Sequence, residues 1–400
     1  MEKYTRKLNA DSDVFIVFDR YMERSIKSDT RQARVGSFRR CHQLALDRKL
    51  PPREMCLSSS ATKENLIEII AQELFVRYRN IVSSHKLVIT SKNEVPQEIH
   101  HGIAISRFDL RSNFDEADYV IQQQRHSIVK QGDRNSIKII SSDTDVFVLL
   151  CSNFSTNDWS SANLFMETFI DNGKLININK SVEYNKEIVP SLVALHALTG
   201  CDSVPMMFGI GKAKGLKALK ETPLTCIGKK SCAMKDVLNE GFKFVASCYG
   251  RKETNSSKNR QSIWMMRTDG AHKGSNPPAL KSLPPTNEAL EMNIRRAHYT
   301  AILWNESVSG CMPNMDPCQF GWEIVNKSLM PIKLPNDVDV APQEVLEMTR
   351  CKCSSSGCRT KQCSCQQAGV FCSELCGCKD CKNKKPDFEQ TNSDAEDDEE

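Results

Sequence analysis

The sequence lacks the features that mark several common classes of protein. No stretch approaches the roughly 20 apolar residues of a membrane-spanning helix. The opening segment, MEKYTRKLNADSD, has no apolar run of the kind found in secretory signals. No internal repeat is present. We therefore expect no membrane partner, no export through a signal peptide and no repeat architecture.

The composition is that of a globular chain with an uneven charge distribution. Hydrophobic residues make up 40% and charged residues 26% of the 400 positions, which leaves room for two or three domains. The formal charge is +4, but residues 387–400 carry eight acidic and no basic side chains. The other 386 residues carry 54 basic and 42 acidic side chains, a charge of +12. We expect a basic body that faces DNA and a solvated acidic tail at 386–400.

Half of the 18 cysteines lie in one short segment: Cys351, Cys353, Cys358, Cys363, Cys365, Cys372, Cys376, Cys378 and Cys381. A disulfide framework normally has an even number of cysteines and an oxidising compartment, and loose surface thiols would be open to oxidation. Structural zinc is the better explanation, because zinc prefers four sulfur ligands in such sites. Nine sulfurs can serve about three zinc ions if some of them bridge two metals. The segment has few apolar residues, so metal binding must supply most of its folding energy.

The spacing C-x-C-x4-C-x4-C-x-C-x6-C-x3-C-x-C-x2-C resembles the tesmin-type CXC domain, a three-zinc DNA-binding module. The resemblance implies that all nine cysteines bind zinc and that Lys352, Arg359 and Lys361 contact DNA. Paired CXC units carry a tyrosine just before the fourth cysteine, where this single unit has Gln362. A zinc-organised protein-interaction module is therefore the alternative interpretation of residues 351–385.

Upstream, apolar runs alternate with amphipathic segments, which predicts an α/β fold with a mainly parallel sheet and helices on both faces. The predicted strands are 14–19, 86–90 and 136–140, and the predicted helices are 61–82, 115–131, 191–200 and 286–304. We assign residues 1–250 to this α/β domain. Residues 251–285 are polar with paired prolines, which indicates a linker or long loop. Residues 286–350 are then a helical and extended connecting region.

Acidic residues recur where these elements end or begin. Asp19 closes the first strand, Asp143 and Asp145 follow the third, and Asp202 lies in a turn after an apolar helix. Glu116 and Asp118 begin a helix, where their spacing places them on different faces. Each acid alone is more often a helix cap or a solvated turn residue. Together, at the carboxyl ends of parallel strands, they predict a site for Mg²⁺ or Mn²⁺. Asp143 and Asp145 would point the same way if that chain were extended.

The order of these motifs resembles the flap-endonuclease (5′ nuclease) superfamily, which has a PIN-like fold. VFDRYMERSIKSDTRQAR, FDEADY, SSDTDVF and LTGCDSVPMMFGIGKAKGLKAL carry the likeness. It implies metal ligands at Asp19, Glu116, Asp118, Asp143, Asp145 and Asp202. It implies that Lys27 and Arg34 draw the scissile phosphate into the site. It also implies DNA contacts from Gly209, Gly211, Lys212 and Lys214.

The combination of a PIN-like domain with one CXC unit is similar to the C-terminal part of transposon-associated proteins of invertebrates. Two departures stand out. The 5′ nucleases carry a further metal-binding aspartate on a strand before the first motif, and we expect this strand to be missing here because 13 residues precede Val14. Arg20 also replaces a usual glycine.

Two functions are consistent with the sequence. One is a metal-dependent, structure-specific DNA nuclease-like protein tethered to DNA by the CXC unit. The other is a non-catalytic, transposon-derived DNA- or chromatin-binding protein with a degenerate nuclease fold. In both, the partner is DNA, chromatin proteins are further candidate partners, and the location is nuclear.

Overall fold

The structure of the chain is a computed structural model. It describes residues 12–21, 25–27, 41–57, 59–80, 84–132, 136–156, 162–169, 173–269, 280–332, 351–353, 357–367, 371–372 and 376–384. The chain divides into two compact units. The first comprises Met1–Asn255 with Asn287–Pro335, and the second comprises Ser256–Thr286 with Asn336–Glu400.

The strands that the structure describes in the first unit form three small sheets. The strands are β1 (Val14–Val17), β2 (Leu87–Thr90), β3 (Gln97–His100), β4 (Ile103–Ser106), β5 (Ser136–Ile140), β6 (Asn163–Glu167), β7 (Leu175–Asn177), β8 (Trp322–Val325) and β9 (Ser328–Pro331). The first sheet has the order β1-β2-β3-β4, with β1 parallel to β2 and the other pairs antiparallel. In the second, β5 is parallel to β6 and β6 antiparallel to β7. The antiparallel β8–β9 hairpin is the third.

The described helices are α1 (Arg53–Cys56), α2 (Ser60–Arg79), α3 (Ala117–Lys130), α4 (Thr144–Thr156), α5 (Ile178–Tyr184), α6 (Val189–Leu198), α7 (Lys212–Leu219), α8 (Met234–Cys248), α9 (Ser256–Asp269), α10 (Asn287–Glu306) and α11 (Ser364–Gln367). Short 3-10 turns lie at Phe108–Leu110, Leu280–Ser282, Ser307–Ser309 and Pro317–Phe320. Within the described residues, no helix combines the length and apolar character needed to cross a membrane.

The main hydrophobic core of the first unit surrounds α6. This helix is apolar on nearly every side, and the side chains from Val193 to Leu198 are buried. Such a helix must be covered all round, and α4, α7 and α10 contact it. At Gly215 of α7, a Cβ atom would lie 2.7 Å from the side chains of Leu195 and Thr199, so glycine permits the close approach of α7 to α6. The sequence of α6 thus determines the centre of the unit.

The predicted mixed α/β class with a cysteine-rich module of little regular structure is confirmed. The sheet arrangement differs from the single, mainly parallel sheet that we predicted. In the described part of the chain, β1 pairs in parallel with β2, and β5 with β6, so the first two sheets hold one parallel pair each. Antiparallel pairs complete both sheets, and a turn at residues 101–102 connects β3 to β4.

Two predicted segment boundaries also differ from the structure. The predicted linker contains α9, whose Arg260 guanidinium donates to the Pro284 carbonyl at 2.7 Å. Residues 287–332, predicted as a connecting region, belong to the first unit. The reason is the apolar face of α10, where Leu290, Ile294 and Ala297 are buried in the main core. The remainder of the predicted connecting region and the acidic tail lie outside the described residues.

One buried histidine should make the first unit sensitive to acid. His298 of α10 accepts a hydrogen bond at Nδ1 from the Gly228 amide at 3.0 Å, and burial lowers the pKa of His298 to about 4. Between pH of about 6.5 and 4 the unfolded chain binds a proton that the folded chain does not, so stability falls as the pH falls. His298→Gln keeps a hydrogen-bond acceptor at this position. We predict that between pH 7 and 4.5 its free energy of unfolding falls by about 2 kcal/mol less than that of wild type.

Urea denaturation at both pH values measures this difference. The matched control is His101→Asn, because His101 is exposed and its φ of 50° suits asparagine. An equal loss of stability in wild type and His298→Gln on acidification would contradict the prediction.

Candidate functional site: a lysine among carboxylates and a cysteine cluster

The predicted carboxylates of the first unit are gathered around the ammonium group of Lys27. Its Nζ atom lies 3.1 Å from Glu116 Oε2, 3.9 Å from Asp118 Oδ2 and 3.8 Å from Asp202 Oδ2. The Lys27, Glu116 and Asp118 side chains are largely buried, whereas Asp202 is about one-third exposed at 36%. Lys27 thus meets side chains that lie 89 to 175 residues further along the chain. We call these residues, with Asp19, Asp143 and Asp145, the carboxylate cluster.

The start of α3 brings three of the acids together. Glu116 is the extended residue before the helix, and Asp19, which follows β1, accepts a hydrogen bond from the Ala117 amide at 2.9 Å. The prediction that Glu116 and Asp118 point to different faces was wrong, because Glu116 precedes the helix instead of belonging to it. Arg20 supports this junction by donating to the carbonyls of Ser112 and Phe114.

Asp143 and Asp145 reach the cluster from the carboxyl end of β5. We predicted an extended chain here, and the structure shows instead that α4 begins at Thr144. Asp143 Oδ1 accepts the Asp145 amide at 2.8 Å, which satisfies an amide in the first turn of the helix. Asp145 is buried while Asp143 is exposed. The helix therefore gives the two acids different surroundings, which an extended strand would not.

His196 is a member of the site that the sequence analysis missed. Its Nε2 atom lies 2.7 Å from Asp145 Oδ1, and its ring packs against Trp304 at 5.6 Å. Burial disfavours the charge of Asp145, but His196, Lys27 and Lys212 together outweigh it and lower the pKa of Asp145. His196 lies in the apolar sequence SLVALHALTG. A polar residue inside an otherwise apolar helix was the signal that could have identified it.

The charges in the cluster are not balanced. Burial raises the pKa of Asp118 to about 8, and the neighbouring Asp143, Glu116 and Asp145 add to the rise against the opposing effect of Lys27. Burial alone would lower the pKa of Lys27, yet the surrounding carboxylates raise it above its ordinary value. One lysine therefore stabilises some of these acids and leaves a surplus of negative charge, an arrangement that favours a further cation.

The predicted phosphate-binding turn lies between α6 and α7. Gly209 is exposed with φ of +70°, and Gly211 is the extended residue before α7. Lys214 lies on the Tyr249 ring, with 5.6 Å from Nζ to the ring centre. Lys212 differs from expectation, because its ammonium group donates to the His196 and Gly200 carbonyls at 2.6 and 2.5 Å. It caps α6 in place of pointing to solvent.

Arg34, predicted to act with Lys27, lies outside the described residues.

In the second unit, two stretches of backbone pair and bring the cysteines together. The amides of Gly377, Lys379 and Lys382 donate to the carbonyls of Cys351, Cys353 and Gly357 at 2.9, 3.0 and 2.8 Å. Gly357 and Cys358 both have positive φ, 53° and 59°, at the turn between the second and third cysteines. In the described part of this cysteine-rich segment, turns and backbone pairing thus form the scaffold.

The cysteine sulfurs form three groups of four, each with all Sγ atoms within 4.8 Å of one another. The groups are Cys351, Cys358, Cys363 and Cys372; Cys351, Cys365, Cys372 and Cys376; and Cys358, Cys372, Cys378 and Cys381. Four sulfurs at this spacing suit tetrahedral zinc. Cys351 and Cys358 each occur in two groups and Cys372 in all three, so shared ligands follow from the geometry.

The predicted DNA-contacting side chains of this segment lie on its surface. Lys352, Arg359 and Lys361 are exposed, while most of the cysteines are buried. Phe371, one of the few apolar residues near the cluster, is also exposed. Sulfur atoms, and not an apolar core, therefore occupy the centre of the described part of this segment.

Comparisons with known proteins identify this cysteine-rich segment. The family described as Tesmin/TSO1-like CXC domain, cysteine-rich domain, matches residues 348–385, so the chain contains a tesmin/TSO1-like CXC domain there. Protein tesmin/TSO1-like CXC 3 of Arabidopsis thaliana is 34% identical over 68 residues, 17% of this chain and 11% of that protein. Protein tesmin/TSO1-like CXC 6 of the same plant is 58% identical over 33 residues, 8% of this chain and 6% of that protein.

The chain thus spans about a tenth or less of the length of the curated relatives that it matches. No solved structure matches the chain.

The carboxylate cluster should depend on Lys27 for stability. We predict that Lys27→Met lowers the free energy of unfolding by about 3 kcal/mol near pH 7.5, because removing one partner leaves buried charges uncompensated. Millimolar Mg²⁺ should restore part of this loss. Lys92→Met is the matched control, because Lys92 pairs with Glu64 and Glu68 on the surface, where such pairs contribute little. Thermal melting with and without Mg²⁺ measures both effects, and equal losses in the two variants would contradict the prediction.

Proposed function

We propose that the protein binds DNA through a zinc-organised CXC domain and that its first unit carries a metal-dependent phosphodiesterase site. The three groups of four cysteine sulfurs carry the first part of this proposal. The second part rests on the meeting of Glu116, Asp118 and Asp202 at Lys27, with Asp143 and Asp145 close enough to act on the charge of Asp118. Asp19 joins them through the Ala117 amide. Binding to DNA implies a nuclear location.

The zinc stoichiometry follows from how the sulfurs are shared. One sulfur common to three metals would be crowded, and Cys353 belongs to none of the three groups. Cys353 lies within hydrogen-bonding reach of Cys358, a member of the third group. If Cys353 takes the place of Cys372 there, all nine cysteines bind about three zinc ions, with Cys351, Cys358 and Cys372 each bridging two. Such a cluster would hold the domain together in place of an apolar core.

Electrostatics support DNA as the ligand of the CXC domain. The described part of the domain exposes several cationic side chains, namely Lys352, Arg359, Lys361, Lys379, Lys382 and Lys384. Contacts from such groups to phosphates release counterions, so affinity should fall steeply with salt. Gln362 is also exposed, beside the cysteine at 363. These exposed side chains suit binding to the DNA backbone, and we propose no contact between them and the bases.

The CXC domain should require zinc both to fold and to bind DNA. We predict about three zinc ions per chain and a loss of DNA affinity of at least about tenfold when a chelator removes them. Cys358→Ser removes a buried shared ligand and should reproduce this loss, whereas Cys318→Ser changes an exposed cysteine outside the cluster and should not. Metal analysis and fluorescence anisotropy with a labelled duplex are the measurements. A chelated protein that keeps its affinity would contradict zinc-dependent binding.

The carboxylate cluster suits phosphodiester chemistry in the first unit. Asp19, Glu116, Asp118, Asp143, Asp145 and Asp202 would hold Mg²⁺ or Mn²⁺, which supplies an activated water and stabilises the leaving oxygen. The surplus negative charge around Asp118 is the observation that fits a divalent cation. Asp145 is oriented by its contact with His196. Asp202 and Asp143 are the more exposed ones and would lie nearest to a nucleic acid.

The position of Lys27 suits either candidate function, the nuclease or the non-catalytic DNA-binding protein. Its ammonium group lies among the same acids that would hold the metal. In a nuclease, the acids would hold the metal and Lys27 would contact the phosphate. In a non-catalytic, transposon-derived DNA-binding protein with a degenerate PIN-like fold, Lys27 would neutralise the cluster permanently, and the CXC domain would provide the affinity.

Cleavage of branched DNA distinguishes the two candidates. We predict that the protein cuts such DNA with Mg²⁺ or Mn²⁺ and not with EDTA, and that Asp145→Asn lowers the rate at least about 100-fold. Asp236→Asn, which changes an exposed acid in the first turn of α8, is the matched control and should retain full activity. Gel analysis of end-labelled DNA gives the rates. DNA binding by wild type without any metal-dependent cleavage would support the non-catalytic candidate.

A further inference from the structure

The loop between α6 and α7 presents two large apolar side chains to solvent. Met206 is 70% exposed and Phe208 is 53% exposed. Their neighbours Met207 and Ile210 are buried in the main core. Met207 and Ile210 therefore anchor the loop in the core, whereas Met206 and Phe208 project into solvent. We call Met206 and Phe208 the apolar tip.

Several contacts hold the apolar tip in a defined position. Cys201 and Val204 exchange backbone hydrogen bonds at 2.9 and 3.3 Å, which closes the turn that contains Asp202. Gly200 has φ of +109°, and a Cβ atom there would lie 2.8 Å from Met206 Cα, so glycine is required for the close approach. The Tyr249 hydroxyl donates to the Phe208 carbonyl at 3.2 Å. An anchored loop loses little entropy when its exposed side chains bind a ligand.

The surroundings of the apolar tip are cationic on one side and acidic on the other. Lys214, Lys217 and Lys220 of α7, which follows the tip directly, are exposed. Asp202 of the carboxylate cluster lies four residues before Met206 on the same loop. By its position in the chain, a ligand on the tip would therefore lie between these ammonium groups and the proposed metal site. Apolar or aromatic side chains next to phosphate-binding cations are the combination that single-stranded nucleic acids bind.

We propose that Met206 and Phe208 contact unpaired bases at a DNA junction, with Phe208 stacking on a base and Met206 inserted beside it. This inference rests on the proposed nucleic-acid function of the first unit and specifies its substrate as DNA with unstacked bases. Aromatic side chains that stack on unpaired bases are a recurring feature of single-strand binding. A fully paired duplex offers no free base face for stacking, so the tip distinguishes branched from plain DNA. The lysines bind the backbone of either form.

The lysines that follow the apolar tip favour a nucleic acid over a protein as its partner. The centre of a protein–protein interface is normally depleted of charged residues. Here the apolar part consists of two side chains, and three exposed lysines follow within 12 residues of Phe208. A small apolar group with adjacent cations matches a base with its phosphates.

The test compares the full-length variant Met206→Ser/Phe208→Ser with wild type. Both side chains are exposed, so the variant should fold normally. We expect its affinity for a branched DNA with 2-aminopurine at the junction to fall roughly 5- to 30-fold, and its affinity for a duplex of equal length to change less than twofold. The change in 2-aminopurine fluorescence that accompanies binding should also disappear. Tyr184→Ser, which removes another exposed aromatic ring at 83% exposure, should behave as wild type.

The outcomes separate this inference from the proposed function. If wild type prefers the junction and the double variant keeps both that preference and the fluorescence change, the tip does not contact bases and the inference is wrong. Equal losses on junction and duplex would also overturn it, because they indicate a general effect on backbone binding. If wild type shows neither a junction preference nor metal-dependent cleavage, the proposed function of the first unit fails before the variant is considered.

Discussion

The first unit depends on the electrostatic balance at Lys27. Glu116, Asp118 and Asp202 approach its ammonium group at 3.1 to 3.9 Å. Neither the acids nor the lysine would be stable alone in this largely buried position. The surrounding architecture serves this arrangement: β1 and β5 end beside it, α3 and α4 begin beside it, and α6 contributes His196 from the core. The residual negative charge gives the cluster its capacity for a further cation.

The second unit achieves stability by different means. The main core of the first unit contains buried aliphatic and aromatic side chains from many elements. The described part of the CXC domain instead surrounds sulfur atoms, and its regular structure amounts to one four-residue helix. A small segment cannot bury enough apolar surface to offset its conformational entropy, so it requires a metal or a comparable cross-link. One chain therefore combines a unit stabilised by burial with a module that we propose is stabilised by zinc.

Most elements of the fold could be predicted because their patterns are local. The apolar run at 14–19, the amphipathic helix at 61–82 and the apolar helix at 191–200 all appear, with small changes of boundary. The helix α9 was missed because its segment is polar and flanked by prolines. Sheet pairing was predicted less well, since hydrogen-bond partners between distant strands leave no local signal. The placement of α10 in the core likewise depended on contacts with α6 and α8.

The sequence by itself determined the chemistry that is available: nine cysteines at CXC spacing, acids at the ends of predicted elements, and an apolar helix containing one histidine. Spacing and periodicity suffice for these because short-range geometry controls ligand spacing and helix faces. The tertiary structure alone decided that Lys27 lies among the acids, that His196 orients Asp145, and that Lys212 caps a helix while Met206 and Phe208 face solvent. Some of these contacts join residues that are distant in sequence, and others depend on which side chains of one loop face solvent. Only the packing of the whole unit specifies them.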